Sequence, residues 1–373
     1  MFFLSLFPLW EQGHFLLGGK PYETNRTSMA TLTKPPYIIY SRDIEKEIMI
    51  MKKLICVMLT VLLIASLFAG CGTTKDDGVY KIAIVQQLDH ASLNEIRAAI
   101  EAELDAIAAE KSIAVEYKHF NGQNDPTVLN QIGAQVVSDG YDAIIPIATT
   151  AAQCMVTAAE GKNIPIIYAA ISDPVEAGLT GFDHVTGVSD ALNTPFILDM
   201  MLAIDANIDT VGLLYSNSEP NSITPIKEAK AYLDAKDIAY IEKTGNTADE
   251  VITAASALVD RCDAVFTPTD NAIMNVAPTV AEILNEAGIP HYTGADSFVQ
   301  AGSFTTCGVN YTELGTYAAG MAMDILLGGA TPDFHVMDGG IITVNTDTAA
   351  ALGIDYSPFS AMANTIVEVT TAG

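Results

Sequence analysis

Residues 81–107 read KIAIVQQLDHASLNEIRAAIEAELDAI. Residues 81–85 form a short apolar run, and Leu93, Ile96, Ile100, Leu104 and Ile107 then recur every three or four positions. The first pattern is that of a buried strand, the second that of one face of an amphipathic helix. A polar turn, Gln86-Gln87-Leu88-Asp89-His90, joins them.

The same rhythm runs outward along the chain. Strands are expected at 113–117, 143–147, 164–169 and 185–188, with helices at 126–138 and 151–160 between them. After a helix near 195–203 the pattern starts again, with strands at 210–215, 239–242, 264–266, 290–292 and 303–309 and helices near 223–235, 248–259 and 272–287. A helix over 312–327 stops at Gly328-Gly329. Short strands at 335–337 and 341–344 follow. Apolar strands alternating with helices indicate parallel sheets covered on both faces. The expected fold class is α/β, with two doubly wound parallel-sheet lobes, because the chain exceeds what one core usually holds.

Upstream of this region, Lys52-Lys53, an apolar run over 54–64 and the small-residue stretch Ala65-Ser66-Leu67-Phe68-Ala69-Gly70 precede Cys71-Gly72. These are the parts of a secretory signal. A cysteine directly after Ala69-Gly70 resembles a bacterial lipobox, which implies cleavage before Cys71 and lipidation of its sulfur. Residues 49–70 are therefore read as the signal and residues 1–48 as a non-native upstream extension, translation being expected to start at Met49 or Met51. Removing residues 1–70 takes 7 of the 18 basic and 5 of the 45 acidic residues, leaving 11 against 40, net −29. Such an acidic chain is unsuited to nucleic acid or anionic lipid surfaces, which demand clustered Lys and Arg. After Cys71 only Cys154, Cys262 and Cys307 remain, with no metal-ligand spacing. A Cys262 to Cys307 bridge is the one pairing worth testing.

In open parallel sheets, ligands bind beyond the carboxyl ends of the strands, near helix N-termini. The residues at those ends are Gln87 and His90, Thr149 and Thr150, Ser172 and Asp173, Ser218, Glu219, Asn221 and Ser222, Asp270 and Asn271, and Asp296. Nearly all are hydroxyl, amide or carboxylate groups. Helix capping alone accounts for Thr150 and Asp270 taken singly. Glu219-Pro220-Asn221-Ser222 exceeds what one cap needs, and Ser172-Asp173-Pro174 is longer than a simple turn. Arg97 and Arg261, the only arginines after Cys71, lie outside these loops. That argues against a multiply anionic ligand. Asp296, with Asp270 second, is the carboxylate expected to hold a ligand ammonium.

Ile171-Ser172-Asp173-Pro174-Val175, Val185-Thr186-Gly187-Val188-Ser189-Asp190, Ser218-Glu219-Pro220-Asn221-Ser222, Thr269-Asp270-Asn271 and Tyr311-Thr312-Glu313-Leu314-Gly315 resemble segments of the ABC-transporter substrate-binding lipoproteins of the tryptophan/tyrosine type. The resemblance spans about residues 80–356. It implies a type I periplasmic binding protein-like fold, two lobes joined by a three-crossover hinge and closing on one small molecule. The crossovers would fall near Asp190-Ala191, Val309-Asn310 and 330–332. Lobe 1 would comprise 71–190 plus 311–331 and lobe 2 191–310 plus 332–373. The implied ligand is an amino acid, aromatic by resemblance, and the implied partner is an ABC permease. The protein would work as an extracytoplasmic monomer, anchored to the bacterial cell membrane through Cys71, without cofactor or metal. Two alternatives stay open: a binding protein for a sugar, nucleoside or short peptide, and a two-lobed racemase-type enzyme using paired cysteines.

Overall fold

The computed structural model describes residues 78–372; the signal, Cys71 and residues 1–48 lie outside them. In the first lobe, β1 (Val79–Gln86) runs into α1 (Ala91–Lys111), and Leu93, Ile96, Ile100, Leu104 and Ile107 are all buried on one face of that helix. Strands β2 (Ala114–Asn121), β3 (Ala143–Ile147), β4 (Ile166–Ala169) and β5 (Val185–Ser189) follow, with α2 (Pro126–Asp139) and α3 (Thr149–Ala158) between them. Helix α2 starts where Pro126 presets φ and Asp125 accepts the Thr127 N–H. Neighbouring strands in this sheet follow the order β2, β1, β3, β4, β5, all parallel.

The second lobe repeats that winding. After α4 (Thr194–Ile204) come β6 (Thr210–Tyr215), β7 (Ala239–Thr244), β8 (Ala264–Thr267), β9 (His291–Thr293) and β10 (Thr305–Gly308), with α5 (Ile223–Ala235) between β6 and β7 and α6 (Ala248–Ser256) between β7 and β8. Their order is β7, β6, β8, β9, β10. In each sheet the order reverses beside the first strand, between β1 and β3 and between β6 and β8. Those reversals open a crevice at the strands' carboxyl ends.

The chain passes between the sheets at 190–193, at 309–310 and again at 337–340. The third passage lies later than the expected 330–332. The reason is β11 (His335–Val336), which pairs in parallel with Val188 and Ser189 and so stays with the first sheet. Helix α10 (Tyr311–Leu326) packs on α1, where a side chain at Gly315 would meet the Ile96 carbonyl oxygen at 2.5 Å. Only a residue without Cβ permits that approach.

Three further features differ from expectation. The second sheet is mixed, since β12 (Ile341–Asn345) runs antiparallel to β10 and β13 (Thr365–Val369) pairs with β12. The helix expected over 272–287 is two, α7 (Asn271–Met274) and α8 (Ala277–Glu286), because Pro278 sits in the first turn of the second. Cys154, Cys262 and Cys307 are free thiols. Cys262 packs beside Gly212 of β6 while Cys307 lies in β10, and β8 and β9 stand between those strands.

Candidate functional site

The loops at the two reversals face each other. Gln87, 1% exposed, donates through Nε2 to Glu219 Oε1 of the opposite lobe at 3.1 Å and to Asn124 Oδ1 at 2.8 Å. Its Oε1 accepts the Thr150 N–H at 3.2 Å. Glu219 Oε2 accepts from Asn271 Nδ2 at 2.8 Å, and Asn271 Oδ1 lies 3.0 Å from His90 Nε2. Because that Asn271 oxygen can only accept, His90 carries its proton on Nε2. Three more bonds cross the cleft: Ser92 Oγ to Ser297 Oγ at 2.6 Å, Ser172 Oγ with Thr269 Oγ1 at 3.0 Å, and Thr224 Oγ1 to Asp173 Oδ2 at 2.7 Å.

These contacts enclose a narrow cavity with about 30 Å³ of free space. Its polar lining includes His90, Thr149, Ser172, Asp190, Asn221 and Asp270. Leu93, Met274 and Phe298 supply an apolar wall. Three buried polar atoms in the lining have no hydrogen-bond partner: His90 Nδ1, Thr149 Oγ1 and Asn221 Oδ1. Buried polar groups are ordinarily satisfied, so three orphans around one cavity mark a surface shaped for something polar. Thr149 also opens α3, whose first N–H groups carry partial positive charge. The residue before it, Ala148, holds φ at 77°, a strained turn for a side-chain-bearing residue.

The electrostatics are one-sided. No lysine or arginine is among the lining residues. Burial, reinforced by Asp270, raises the Glu219 carboxyl to about 8. Burial raises Asp270 as well, against the pull of Ser222, Ser216 and Ile273. Burial lifts Asp190 to about 6 and lowers the His90 ring below its usual value.

The expected site residues therefore separate into groups. His90, Thr149, Ser172, Asn221, Asp270 and Asn271 line the cavity. Gln87 and Glu219 stand behind it and hold the lobes together, while Thr150 contributes its N–H to Gln87. Asp173 ties the lobes through Thr224 and caps its own loop at Val175 and Glu176. Ser222 donates to Asp270 Oδ2 at 2.6 Å, and Ser218 is exposed and bonded to Ser216.

Neither carboxylate expected to hold an ammonium is well placed for it. Asp296 lies outside the cavity, in a separate hollow with Glu95 and Gln300. Asp270 lines the cavity, but its oxygens already accept from Ser216 N at 2.7 Å, Ser222 Oγ and Ile273 N. Asp190, read from sequence as a crossover position, and Tyr311, read as the first residue of a family-like segment, both line the cavity. None of the three thiols lines it, and burial pushes all three upward, away from the thiolate that nucleophilic chemistry requires.

Two α/β lobes linked by three crossovers, with a polar cavity between facing strand ends, define a two-lobed binding protein. Residues 81–364 match the family described as ABC transporter substrate binding protein, and the chain belongs to that family. It is similar to a tyrosine-binding protein of Clostridioides difficile, 30% identical over 81% of this chain and 92% of that one. Among solved structures it resembles a Streptococcus pneumoniae domain in complex with L-Trp, with 29% identity, TM-score 0.72, and coverage of 77% of this chain and 99% of that chain. It also resembles a ligand-free, open substrate-binding protein with adhesive properties from Clostridium difficile, with 30% identity, TM-score 0.61, and coverage of 79% and 100%. At nearly equal identity, the arrangement here agrees better with the L-Trp complex than with the open form.

Proposed function

We propose that the chain is the extracytoplasmic solute-binding subunit of an ABC importer and captures an aromatic L-amino acid between its lobes. One observation carries this reading: His90 Nδ1, Thr149 Oγ1 and Asn221 Oδ1, from both lobes, are buried without partners around one cavity that Leu93, Met274 and Phe298 line with an apolar wall. Hydrogen-bonding groups opposite an apolar wall suit a small molecule with a polar end and a hydrophobic one. The name of one relative, a tyrosine-binding protein, and the L-Trp complex of another point the same way.

Free space of about 30 Å³ holds about one water, so an amino acid enters only when the lobes part. The facing loops that carry Gln87, His90, Ser92, Ser172 and Thr224 then come together over it. A ligand that favours the closed form shifts the equilibrium by its differential affinity for that form. The closed monomer would present the solute to an ABC permease while Cys71, lipidated, keeps it at the membrane. Calorimetry with a panel of L-amino acids tests the ligand class: heat is expected from tryptophan, tyrosine or phenylalanine, and silence across the panel refutes it. Incorporation of labelled fatty acid, lost in Cys71→Ala, tests the anchor.

A further inference from the structure

The cavity contains a carboxylate that no cation answers. Asp190 ends the first lobe at the start of the first crossover and is only 6% exposed. Its Oδ1 accepts from Ser172 Oγ at 3.2 Å, and the Tyr311 hydroxyl donates to the same carboxyl group. Both donors are neutral. The other titratable groups lining the cavity are His90, whose buried ring stays neutral, and Asp270, which is already saturated with donors. An ionised carboxylate in this setting is costly unless a positive charge joins it.

We propose that Asp190 is the counter-charge for the ligand's ammonium group, aimed by Tyr311 and Ser172 as positioning residues, so that the site selects an amine over the same skeleton lacking one. This rests on the amino acid reading above. The complementary end of a zwitterion has its own place in the same cavity. Thr149, 1% exposed, brings its unpaired hydroxyl and the N-terminus of the ten-residue α3 to the lining, where a carboxylate is favoured. Asp190 and Thr149 follow β5 and β3 of one lobe. That lobe alone can therefore read both charges before the second closes.

The assignment also explains why Asp190 sits where the chain crosses over. Tyr311 begins the helix that returns to the first lobe at the second crossover, so the Asp190–Tyr311 bond joins two hinge strands at the ligand's charged end. Ligand charge and hinge geometry meet at one side chain.

Calorimetry on the purified protein tests this with the proteinogenic L-amino acids and, for each binder, its deaminated analogue; for L-tryptophan that is indole-3-propionate. Wild type is expected to prefer L-tryptophan by roughly 100-fold, the scale of a charge-assisted pair in a desolvated site. Asp190→Asn should remove most of that preference by weakening L-tryptophan while leaving indole-3-propionate largely unchanged. Tyr311→Phe should keep the preference but move the acid limb of binding to higher pH, since the lost hydroxyl no longer favours the ionised carboxylate. A purely structural tyrosine would not move that limb. Retention of the preference in Asp190→Asn overturns the assignment, as does a wild type that binds no α-amino compound. Binding of a non-aromatic amino acid alone would instead sink the aromatic reading, and the same variants titrated with that compound would still decide the role of Asp190.

Discussion

Gln87 of the first lobe donates its amide to Glu219 of the second across 3.1 Å, while its carbonyl oxygen accepts the Thr150 N–H at the mouth of α3. The helix that opens onto the cavity and the bond that holds the lobes together thus share one side chain. Through Asn271 the same chain of bonds returns to His90. Within this chain of bonds only the Gln87–Glu219 and His90–Asn271 contacts cross between the lobes, so those two depend on closure.

Glu219→Ala should therefore weaken ligand binding without touching the ligand. It leaves the Asn271 amide without its acceptor and removes one of the two partners of Gln87 Nε2, at about 1–3 kcal/mol for buried groups so stranded. The expected result is L-tryptophan affinity lower by roughly 5- to 150-fold, with small-angle scattering at matched ligand concentration showing a larger fraction of open molecules. Full affinity together with unchanged scattering would show that Glu219 is no latch.

The same carboxyl group sets a pH dependence. Glu219 at about 8 and Asp190 at about 6 both lie above their ordinary values, so between those values and about pH 4 the folded state binds more protons than the unfolded one. Their contribution is fully present below the ordinary carboxylate range and is lost as pH rises through 6 and then 8. The ligand-free protein should melt several degrees lower at pH 8.5 than at pH 6, since one pKa unit is about 1.4 kcal/mol and each kcal/mol moves Tm by about 2–4 °C. Glu219→Gln should flatten that slope. A slope identical in wild type and variant would assign it to other groups.

Much of this architecture was legible because period alone separates buried strands from amphipathic helices: residues 81–107 already contain most of β1, the α1 face and the loop that carries Gln87 and His90. The rule that ligands sit at strand ends also located Thr149, Ser172, Asn221 and Asn271. It failed for residues whose role depends on rotation about an element. Asp296 follows β9 as expected, but its place at the start of α9 (Asp296–Gln300) puts it beside Glu95, outside the cavity. Leu93 counted as core and Asp190 as hinge, and only the facing of the lobes gives either a second task. Strand β13 was missed because it is an edge strand, its residues half-buried or exposed, with too little apolar contrast to declare itself.

Gly315→Leu should loosen the seat of α10 on α1. Even a Cβ there meets the Ile96 carbonyl oxygen at 2.5 Å, and forcing side-chain bulk between packed helices costs about 1–3 kcal/mol. Differential scanning calorimetry should record a Tm lower by about 2–12 °C, and Gly320→Ala, on the same helix with nothing within 4 Å of its Cβ position, serves as the control. Equal melting temperatures for wild type and Gly315→Leu would mean that the two helices can separate at little cost.

Trp10 is the only tryptophan of the chain, so a protein cleaved before Cys71 has tyrosine fluorescence alone. L-tryptophan then becomes the sole indole in the sample and reports on its own surroundings. Free in water it emits at long wavelength; against Leu93, Met274 and Phe298, with water expelled by closure, its emission should shift to the blue and saturate at one ligand per protein. Phe298→Ala, which thins the apolar wall, should reduce the shift and weaken binding by about 10-fold or more, in line with about 1.5–3 kcal/mol for burial of a large apolar side chain. Asp190→Asn should lower affinity yet leave the emission of the remaining complex blue-shifted, because it alters the charged end and not the wall. Emission that stays at its aqueous position while calorimetry registers binding would place the indole outside this cavity.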